Sequence, residues 1–176
     1  MVGCSYAGLP TTRAEIRNPI GANMAFRRSV FARSGGFDPT MGRLGKDAAG
    51  CEETEFSIRA LRLHEGSRIV VEPTAGVRHT VTADRVTRTY FRRRCRAEGR
   101  SKALVSRLAG QDSALASERS YVRQTLPRGV RTGLRDVLHG DLAGAARIAM
   151  IVEGTALTVA AYAGARLRLA VRRPAV

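Results

Sequence analysis

Two blocks of sequence decide the fold: residues 18–39 read NPIGANMAFRRSVFARSGGFDP, and residues 51–60 read CEETEFSIRA. In the second block, acidic residues crowd the start and apolar residues then recur at helical spacing, which is typical of a helix N-terminus. This pattern predicts a helix from Glu52 to His64 that ends before Gly66. The spacer between the two blocks is too rich in glycine for regular structure.

A short strand and a short helix are expected before this helix. Residues 21–27 place Met24 and Phe26 on one face with small residues between them, which favours a strand packed closely on a neighbour. Ser29 is the expected N-cap of the helix that follows. That helix is expected to end at Gly35-Gly36, because glycine adopts the left-handed conformation that terminates helices.

The other segments before residue 80 predict loop and extended structure. Loop is expected over residues 1–19, which are rich in Gly, Pro and Thr. Residues 68–72 are typical of a buried strand that Pro73 stops, and residues 75–80 of a further extended segment. The first 80 residues therefore predict a mixed α/β region.

Helical patterns replace the strand signals beyond Asp84, so helix is expected over residues 84–176. Breaks are expected near Gly110, over residues 127–129, and near Gly140, where Gly and Pro interrupt the pattern.

The apolar stretch over residues 142–165 raises the question of a membrane span. A spanning helix needs about 20 mostly uncharged residues, and Arg147 and Glu153 interrupt this stretch. The basic end, RLRLAVRR over residues 166–173, suits a helix lying in the plane of an anionic membrane surface, or a helix docked on the domain. We therefore expect contact with a membrane surface rather than an unbroken span.

The net charge of +15 is concentrated in the second half of the chain: residues 81–176 carry 19 basic and 7 acidic side chains. Such an excess favours an anionic partner. Lys46 and Lys102 are the only lysines, so 28 of the 30 basic residues are Arg, a skew that coding bias alone can produce. Nucleic acid is therefore not the expected partner, whereas an anionic membrane surface remains one.

Cysteine usage favours a reducing compartment. Cys4, Cys51 and Cys95 are an odd number without a C-x-x-C pair, so they indicate neither a disulfide framework nor a structural zinc site. The first residues lack the basic start and apolar core of a secretory signal. We expect a cytoplasmic protein, peripheral at the inner face of the cell membrane.

The two blocks, in their order, resemble the C-terminal, acceptor-side half of family 2 glycosyltransferases of the GT-A fold, a galactosyltransferase-C-terminal-like region. There, a GANMAFRR…GGFD block precedes an acidic block at the start of a helix. The resemblance extends over residues 18–104, through the IVVEP and VRH segments to a Y-x-x-R…EG-x-S helix. That motif is formed here by Tyr90, Arg93, Glu98, Gly99 and Ser101.

The resemblance implies that Glu53 is the catalytic base, because it stands where the family has the Asp of its acidic pair. In an inverting transfer the attacking hydroxyl needs such a base. Glu52 would orient the acceptor or support the loop, and the extra methylene of Glu leaves the base open between Glu52 and Glu53. Acidic residues are also favoured in the first turn of any helix, so the acidic pair alone does not indicate catalysis. The catalytic interpretation depends on the flanking sequence blocks.

Further site residues follow from the same resemblance. The turn Gly21, Ala22 and Asn23 is expected to line the acceptor side of the cleft, although it also fits a plain tight strand entry. Arg93 and Arg96 would clamp the diphosphate of a substrate, although a solvated helix face is the alternative.

His79 would complete a metal or diphosphate site, although a lone His is more often structural. Arg59 follows Glu55 by four residues on the same helix. The two are expected to form an ordinary salt bridge on the helix surface.

The sequence thus predicts an α/β protein: a partial GT-A (Rossmann-like) glycosyltransferase domain over residues 1–104, followed by an α-helical C-terminal region over residues 105–176. Its expected function is inverting transfer of a sugar from a nucleotide-sugar donor to an acceptor hydroxyl on a carbohydrate or lipid-linked acceptor, in synthesis of cell-envelope polysaccharide or glycoconjugate. A divalent metal, Mn or Mg, is expected in the complete enzyme.

No Asp-x-Asp motif occurs in residues 1–176, so a separate N-terminal half is expected to bind the donor and the metal. The alternatives are a basic helical module that binds nucleic acid or lipid without catalysis, and an inactive remnant.

Overall fold

Helices dominate the part of the chain that the structure, a computed structural model, describes: residues 9–42, 50–110, 119 and 121–171. In chain order the elements are β1 (Ala14–Glu15), α1 (Arg28–Ser34), α2 (Glu52–Leu63), β2 (Val70–Val71), a 3₁₀ turn (Ala83–Val86), α3 (Arg88–Ala109), a π-helical turn (Tyr121–Thr125), α4 (Leu126–Leu138) and α5 (Ala143–Val171).

The sheet within these residues has two short antiparallel strands. Ala14 of β1 lies opposite Val71 of β2, and the Ile16 N–H donates to the Ile69 carbonyl at 2.8 Å. The loop expected over residues 1–19 is wrong at Ala14–Glu15, and its first eight residues lie outside the described part of the chain. The strand expected over residues 68–72 is confirmed at its centre, whereas residues 75–80 form no strand.

The strand predicted over residues 21–27 is wrong. The chain instead makes a tight turn, closed by the Asn23 N–H donating to the Ile20 carbonyl at 2.8 Å. Gly and Asn favour such turns, and this local preference prevails over the apolar alternation of Met24 and Phe26. The described residues are therefore mostly helical with one small sheet, and the GT-A fold stays a prediction.

The predicted helix of the acidic block is confirmed as α2, which ends within one residue of the expected His64. The short helix α1 is also confirmed, and Gly35, with φ 69°, ends it as expected. Its N-cap is Arg27 and not Ser29, because the helix starts at Arg28 and no side chain caps it.

Four aromatic rings fasten α1 to α2. Phe26, Phe31 and Phe37 surround Phe56 of α2 with ring centroids 4.7–5.0 Å from its own, and Phe56 is fully buried. Aromatic pairs at such separations are favourable beyond the apolar area that they bury. The first sequence block thus supplies three of these rings and the second block supplies the fourth.

The long helices pack on one another through small residues. Gly99 of α3 lies against Thr158 and Ala161 of α5, and Gly133 of α4 lies against Gly144 of α5. Contacts pair Arg88 of α3 with Glu153 of α5, and farther along pair Arg107 with Leu169, so α3 and α5 run parallel. The residues of α4 contact α5 in reverse order, so these two helices are antiparallel.

The breaks expected at Gly110 and Gly140 are confirmed, with φ 81° and 87°. The break expected over residues 127–129 is wrong, because Pro127 lies in the first turn of α4, where its missing N–H has no helical partner to lose. The domain boundary expected after residue 104 stays a prediction, although α3 continues across it to Ala109.

One helix of the described residues, α5, is long and apolar enough to cross a membrane by length and composition. It includes Arg147 and Glu153, the two charges that interrupt its apolar stretch. Both charges are paired: Arg147 contacts Asp136 and Asp141 at 2.7 and 2.8 Å, and Glu153 accepts from Arg88 at 3.0 Å.

Candidate active site

The acidic pair begins α2 directly after a strained residue. Cys51 has φ 76°, and it is the only non-glycine with positive φ in the described part of the chain. Non-glycine residues in this region tend to mark functional sites, since packing must hold them there. Cys51 is buried, and this conformation sets the direction in which Glu52 and Glu53 leave the loop.

Each carboxylate of the pair lies against a glycine. A Cβ atom added at Gly21 would be 3.7 Å from Cδ of Glu53, and one added at Gly42 would be 3.1 Å from Cδ of Glu52. Gly42 also has φ 91°, a conformation that side chains disfavour. The two glycines therefore keep both carboxylates free of neighbouring side chains on these sides.

Burial raises the pKa of Glu53 above its ordinary value, and the like charges of Glu52 and Glu98 act in the same direction while Arg94 opposes them. A raised pKa moves a carboxylate towards the range in which it accepts protons at neutral pH. The backbone around Glu53 is fixed as well, since the Ser57 hydroxyl donates to the Glu53 carbonyl at 2.6 Å.

Oε2 of Glu52 is buried and has no hydrogen-bond partner among the residues described. Buried polar atoms nearly always have one, so an unpaired acceptor at this place requires an explanation.

Helix α3 holds the loop before the acidic pair. Glu98 accepts from Arg94 at 3.0 Å and from Lys102 at 3.1 Å, and the Gly50 N–H donates to the Ser101 hydroxyl at 3.3 Å. Burial acts to raise the pKa of Glu98, but Lys102 and Arg94 outweigh it and hold the pKa below its usual range.

Three positions of the Y-x-x-R…EG-x-S motif are explained by their contacts. Glu98 and Ser101 face the loop before α2, whereas Gly99 faces α5. Arg94 was not predicted as a site residue, although a Cβ added at Gly50 would be 3.0 Å from its guanidinium. Its pairing with Glu98 could have been predicted from the sequence, because the two residues are four positions apart and share one helix face.

Arg93 and Arg96 are exposed on α3, and the guanidinium of Arg93 lies 5.4 Å from the ring centroid of Tyr90. Their expected role in diphosphate binding stays a prediction. The groups of α3 that the structure brings to the acidic pair are those of Arg94 and Glu98.

The turn Gly21, Ala22 and Asn23 lies beside the acidic pair, because Gly21 contacts Glu53. The Asn23 side-chain amide donates to the Ala75 carbonyl and so ties the turn to the segment after β2. Ala22 is exposed. The structure therefore brings Gly21 to the predicted base, whereas binding of an acceptor by the turn stays a prediction.

The pairing of Arg59 with Glu55 is confirmed, with two hydrogen bonds of 2.7 and 2.8 Å. Arg59 also donates to the carbonyls of Ser34 and Gly36 at the end of α1. Since Glu55 is buried, this Arg is a structural link between α1 and α2 rather than a surface residue.

A small open cleft of about 150 Å³ adjoins the loop before α2. Nucleotide-sized ligands require cavities of roughly 300–1,000 Å³, so this cleft would admit only part of a substrate. Its lining residues are Thr40, Met41, Gly42, Gly50, Arg100, Ser101 and Leu104.

In the described part of the chain, no three side chains of His, Cys, Asp or Glu come together as a metal site would require. His79 is exposed in the segment after β2. These residues do not by themselves fit a divalent metal, and the role expected for His79 stays a prediction.

The chain is 31% identical over 113 residues to the glucosyl-dolichyl phosphate glucuronosyltransferase of Haloferax volcanii. The matched stretch is 64% of this chain and 36% of that protein, so the chain spans little more than a third of the curated relative. No protein-family model matches the chain, and no solved structure matches it significantly. The similarity relates the chain to a glycosyltransferase.

Proposed function

We propose that the chain is the acceptor-side part of an inverting family 2 glycosyltransferase, with Glu53 as the catalytic base. The observation that carries this proposal is the placement of the Glu53 carboxylate. It lies on a rigid helix N-terminus, against a glycine, and burial raises its pKa. The similarity to a known glycosyltransferase supports the same reaction class.

In this reaction the acceptor hydroxyl oxygen forms a bond to the anomeric carbon of the donor sugar. The bond from that carbon to the nucleotide diphosphate breaks on the opposite face, and the diphosphate leaves with the electron pair. Glu53 takes the hydroxyl proton as the new bond forms, and a base in this role typically accelerates a reaction about 100-fold to 10,000-fold.

Glu52 positions the acceptor in this scheme. Its buried Oε2 atom, which has no partner in the described residues, accepts a hydrogen bond from a second acceptor hydroxyl. Two neighbouring carboxylates thereby have separate tasks, because Gly42 leaves Glu52 room on one side and Gly21 leaves Glu53 room on the other.

The nucleotide-sugar donor and a Mn or Mg ion belong, in this proposal, to a separate N-terminal half. The small size of the cleft beside α2 agrees with that division. The name of the relative above contains glucosyl-dolichyl phosphate, a lipid-linked sugar, which favours a lipid-linked acceptor here and a place at a membrane.

A chimera tests the proposal: the matched stretch of the Haloferax protein is replaced by this chain, and sugar transfer to its lipid acceptor is measured. The parent chimera is expected to transfer sugar. Glu53→Gln should then lower kcat at least about 100-fold while donor binding stays unchanged, since a base acts only in the transition state.

Glu65→Gln is the matched control, because Glu65 is exposed and the substitution makes the same change in charge. It should leave transfer unaffected. A loss of less than tenfold for Glu53→Gln, together with a far larger loss for Glu52→Gln, would move the base to Glu52. Full transfer by the Glu52→Gln/Glu53→Gln double variant would refute the proposal.

A further inference from the structure

The outer face of α5 is entirely apolar over its central five turns. Every exposed residue from Ala149 to Leu167 is Ala, Val or Leu. Val152 and Val159 are each 59% exposed and Leu167 is 69% exposed. Their separations of seven and eight residues place them on one side of the helix. Soluble surfaces rarely expose so long an apolar stripe without a partner.

Two charges in the first half of α5 are engaged by neighbouring residues. Glu153 is held by Arg88 and Arg92 of α3, and Arg147 is held by Asp136 and Asp141. The small residues Gly144 and Gly154 are buried against α4 and α3. The helix therefore has an inner, packed side and an outer side whose exposed residues from Ala149 to Leu167 are uncharged, and the half-buried Arg166 and the exposed Arg168 add positive charge at its end.

Helix α4 adds basic side chains and further apolar ones. Arg128, Arg131 and Arg135 are exposed and recur at spacings of three and four residues, so they form one row. Leu134 and Leu138 are 52% and 85% exposed. The only acidic residue of α4, Asp136, is engaged by Arg147, so the exposed charge of this helix is positive.

We propose that α4 and α5 together form a surface that lies flat on an anionic lipid bilayer. The apolar stripe of α5, with Leu134 and Leu138 of α4, enters the boundary between headgroups and acyl chains. The arginine row of α4 contacts lipid phosphates. The positive charge of the arginine row is complementary to an anionic headgroup layer, and the exposed leucines beside it are complementary to the acyl chains below.

The parallel packing of α3 sets the orientation of α5. If α5 crossed the bilayer, α3 would be carried into the hydrocarbon beside it, together with exposed arginines such as Arg96 and Arg107. Charged side chains are strongly disfavoured there. In the plane of the surface, α3 stays on the aqueous side of α5. This inference does not depend on sugar transfer, so either proposal can fail alone.

Because the chain contains no Trp, a single introduced Trp reports on its own position. Val152→Trp, Val159→Trp and Leu167→Trp are made one at a time in the full chain. Each is mixed with vesicles of phosphatidylcholine alone or of an equimolar mixture with phosphatidylglycerol. We expect a blue shift of the emission with the mixed vesicles, and the same quenching depth for all three positions with brominated lipids.

The charge requirement is tested with Arg131→Gln/Arg135→Gln. Each basic side chain near an anionic surface contributes about fivefold to binding, so this double variant should bind the mixed vesicles roughly 30-fold more weakly. Arg28→Gln/Arg33→Gln on α1 removes the same charge from a helix that packs on α2 and should bind as the parent does. Circular dichroism checks that each variant keeps its helices.

Several results would overturn the proposal. Depths that differ between Val152→Trp and Leu167→Trp by up to about 22 Å would show a spanning helix. A blue shift without lipid, accompanied by a dimer in sedimentation, would assign the stripe to a second copy of the chain. Equal binding of the parent chain to both kinds of vesicle would show that the arginine row does not contribute to binding. The same conclusion would follow if the two double Arg variants lost vesicle affinity to the same extent.

Discussion

The thiol of Cys51 donates a hydrogen bond to the carboxylate of Glu98, with 3.7 Å between Sγ and Oε1. The contact joins the strained residue before α2 to the middle of α3. Burial raises the pKa of the Cys51 thiol far above its ordinary value, and the charge of Glu98 acts in the same direction. The thiol is thus kept protonated as a donor, and Glu98 holds the loop from which the acidic pair emerges.

Glu98→Gln should make Cys51 more reactive towards iodoacetamide. The substitution weakens the contacts of residue 98 with Arg94 and Lys102, so the loop opens more often. Loss of a hydrogen bond to a charged group costs about 1.5–3 kcal/mol, so the alkylation rate should rise at least about tenfold. Mass spectrometry separates Cys51 from the other cysteines. Glu65→Gln provides the control, and an unchanged rate for Glu98→Gln would argue against this role.

Glu53→Gln should stabilise the chain at neutral pH. Since the pKa of Glu53 is raised in the folded state, the fold favours its protonated form. The stability that Glu53 contributes is therefore complete below its ordinary pKa of about 4.5 and is lost as the pH rises through the folded-state value. Thermal unfolding should give the variant a higher Tm than the parent at pH 7 and an equal Tm at pH 4. The reverse order would contradict the raised pKa.

Gly99→Ala should destabilise the packing of α3 on α5. A Cβ atom at this position would overlap the Thr158 carbonyl oxygen and lie 2.9 Å from Cβ of Ala161. Such overpacking costs about 1–3 kcal/mol, measurable as a lower urea midpoint. Gly164→Ala on α5 is the matched control, because nothing lies within 4 Å of the added atom. The control should be neutral or stabilising by up to about 1 kcal/mol, since Ala favours helix.

Arg59→Lys should destabilise the chain despite its unchanged charge. Lys cannot reproduce the two hydrogen bonds to Glu55 together with those to the end of α1. A loss of about 1–3 kcal/mol in the free energy of unfolding is expected, because buried Glu55 loses part of its pairing. Arg33→Lys on the exposed side of α1 should have no measurable effect. Equal stability of the two variants would mean that Arg59 is an ordinary surface residue.

The sequence predicted those features that depend on neighbouring residues. The helix after Cys51 follows from its acidic first turn, and the helix ends at Gly35, Gly110 and Gly140 follow from the left-handed conformation of glycine. The Glu55 to Arg59 pair follows from helical spacing alone.

Features that depend on distant residues were missed. A two-residue strand such as β1 is defined by its pairing with Val70 and Val71, which lies 55 or more positions along the chain and leaves no local pattern. Likewise, the spacing of Arg94 and Glu98 shows that the two can pair on α3, but it does not show that the Arg94 guanidinium also lies beside Gly50. The charges within α5 argued against an unbroken membrane span, but their partners Arg88, Asp136 and Asp141 could not be read from the sequence.

Two adjacent residues of α3, Glu98 and Gly99, point about 100° apart and contact different neighbours: the loop before the acidic pair and the backbone of α5. If α5 rests on lipid, α3 acts as a spacer that fixes the height of Glu53 above the bilayer. A packed helix is about 10 Å thick, so α3 raises the carboxylate above the stripe-bearing helix by at most about one helix diameter. An acceptor anchored in the same bilayer would reach it only if its hydroxyl projects to that level, so the spacer would select acceptors by the length of their headgroup.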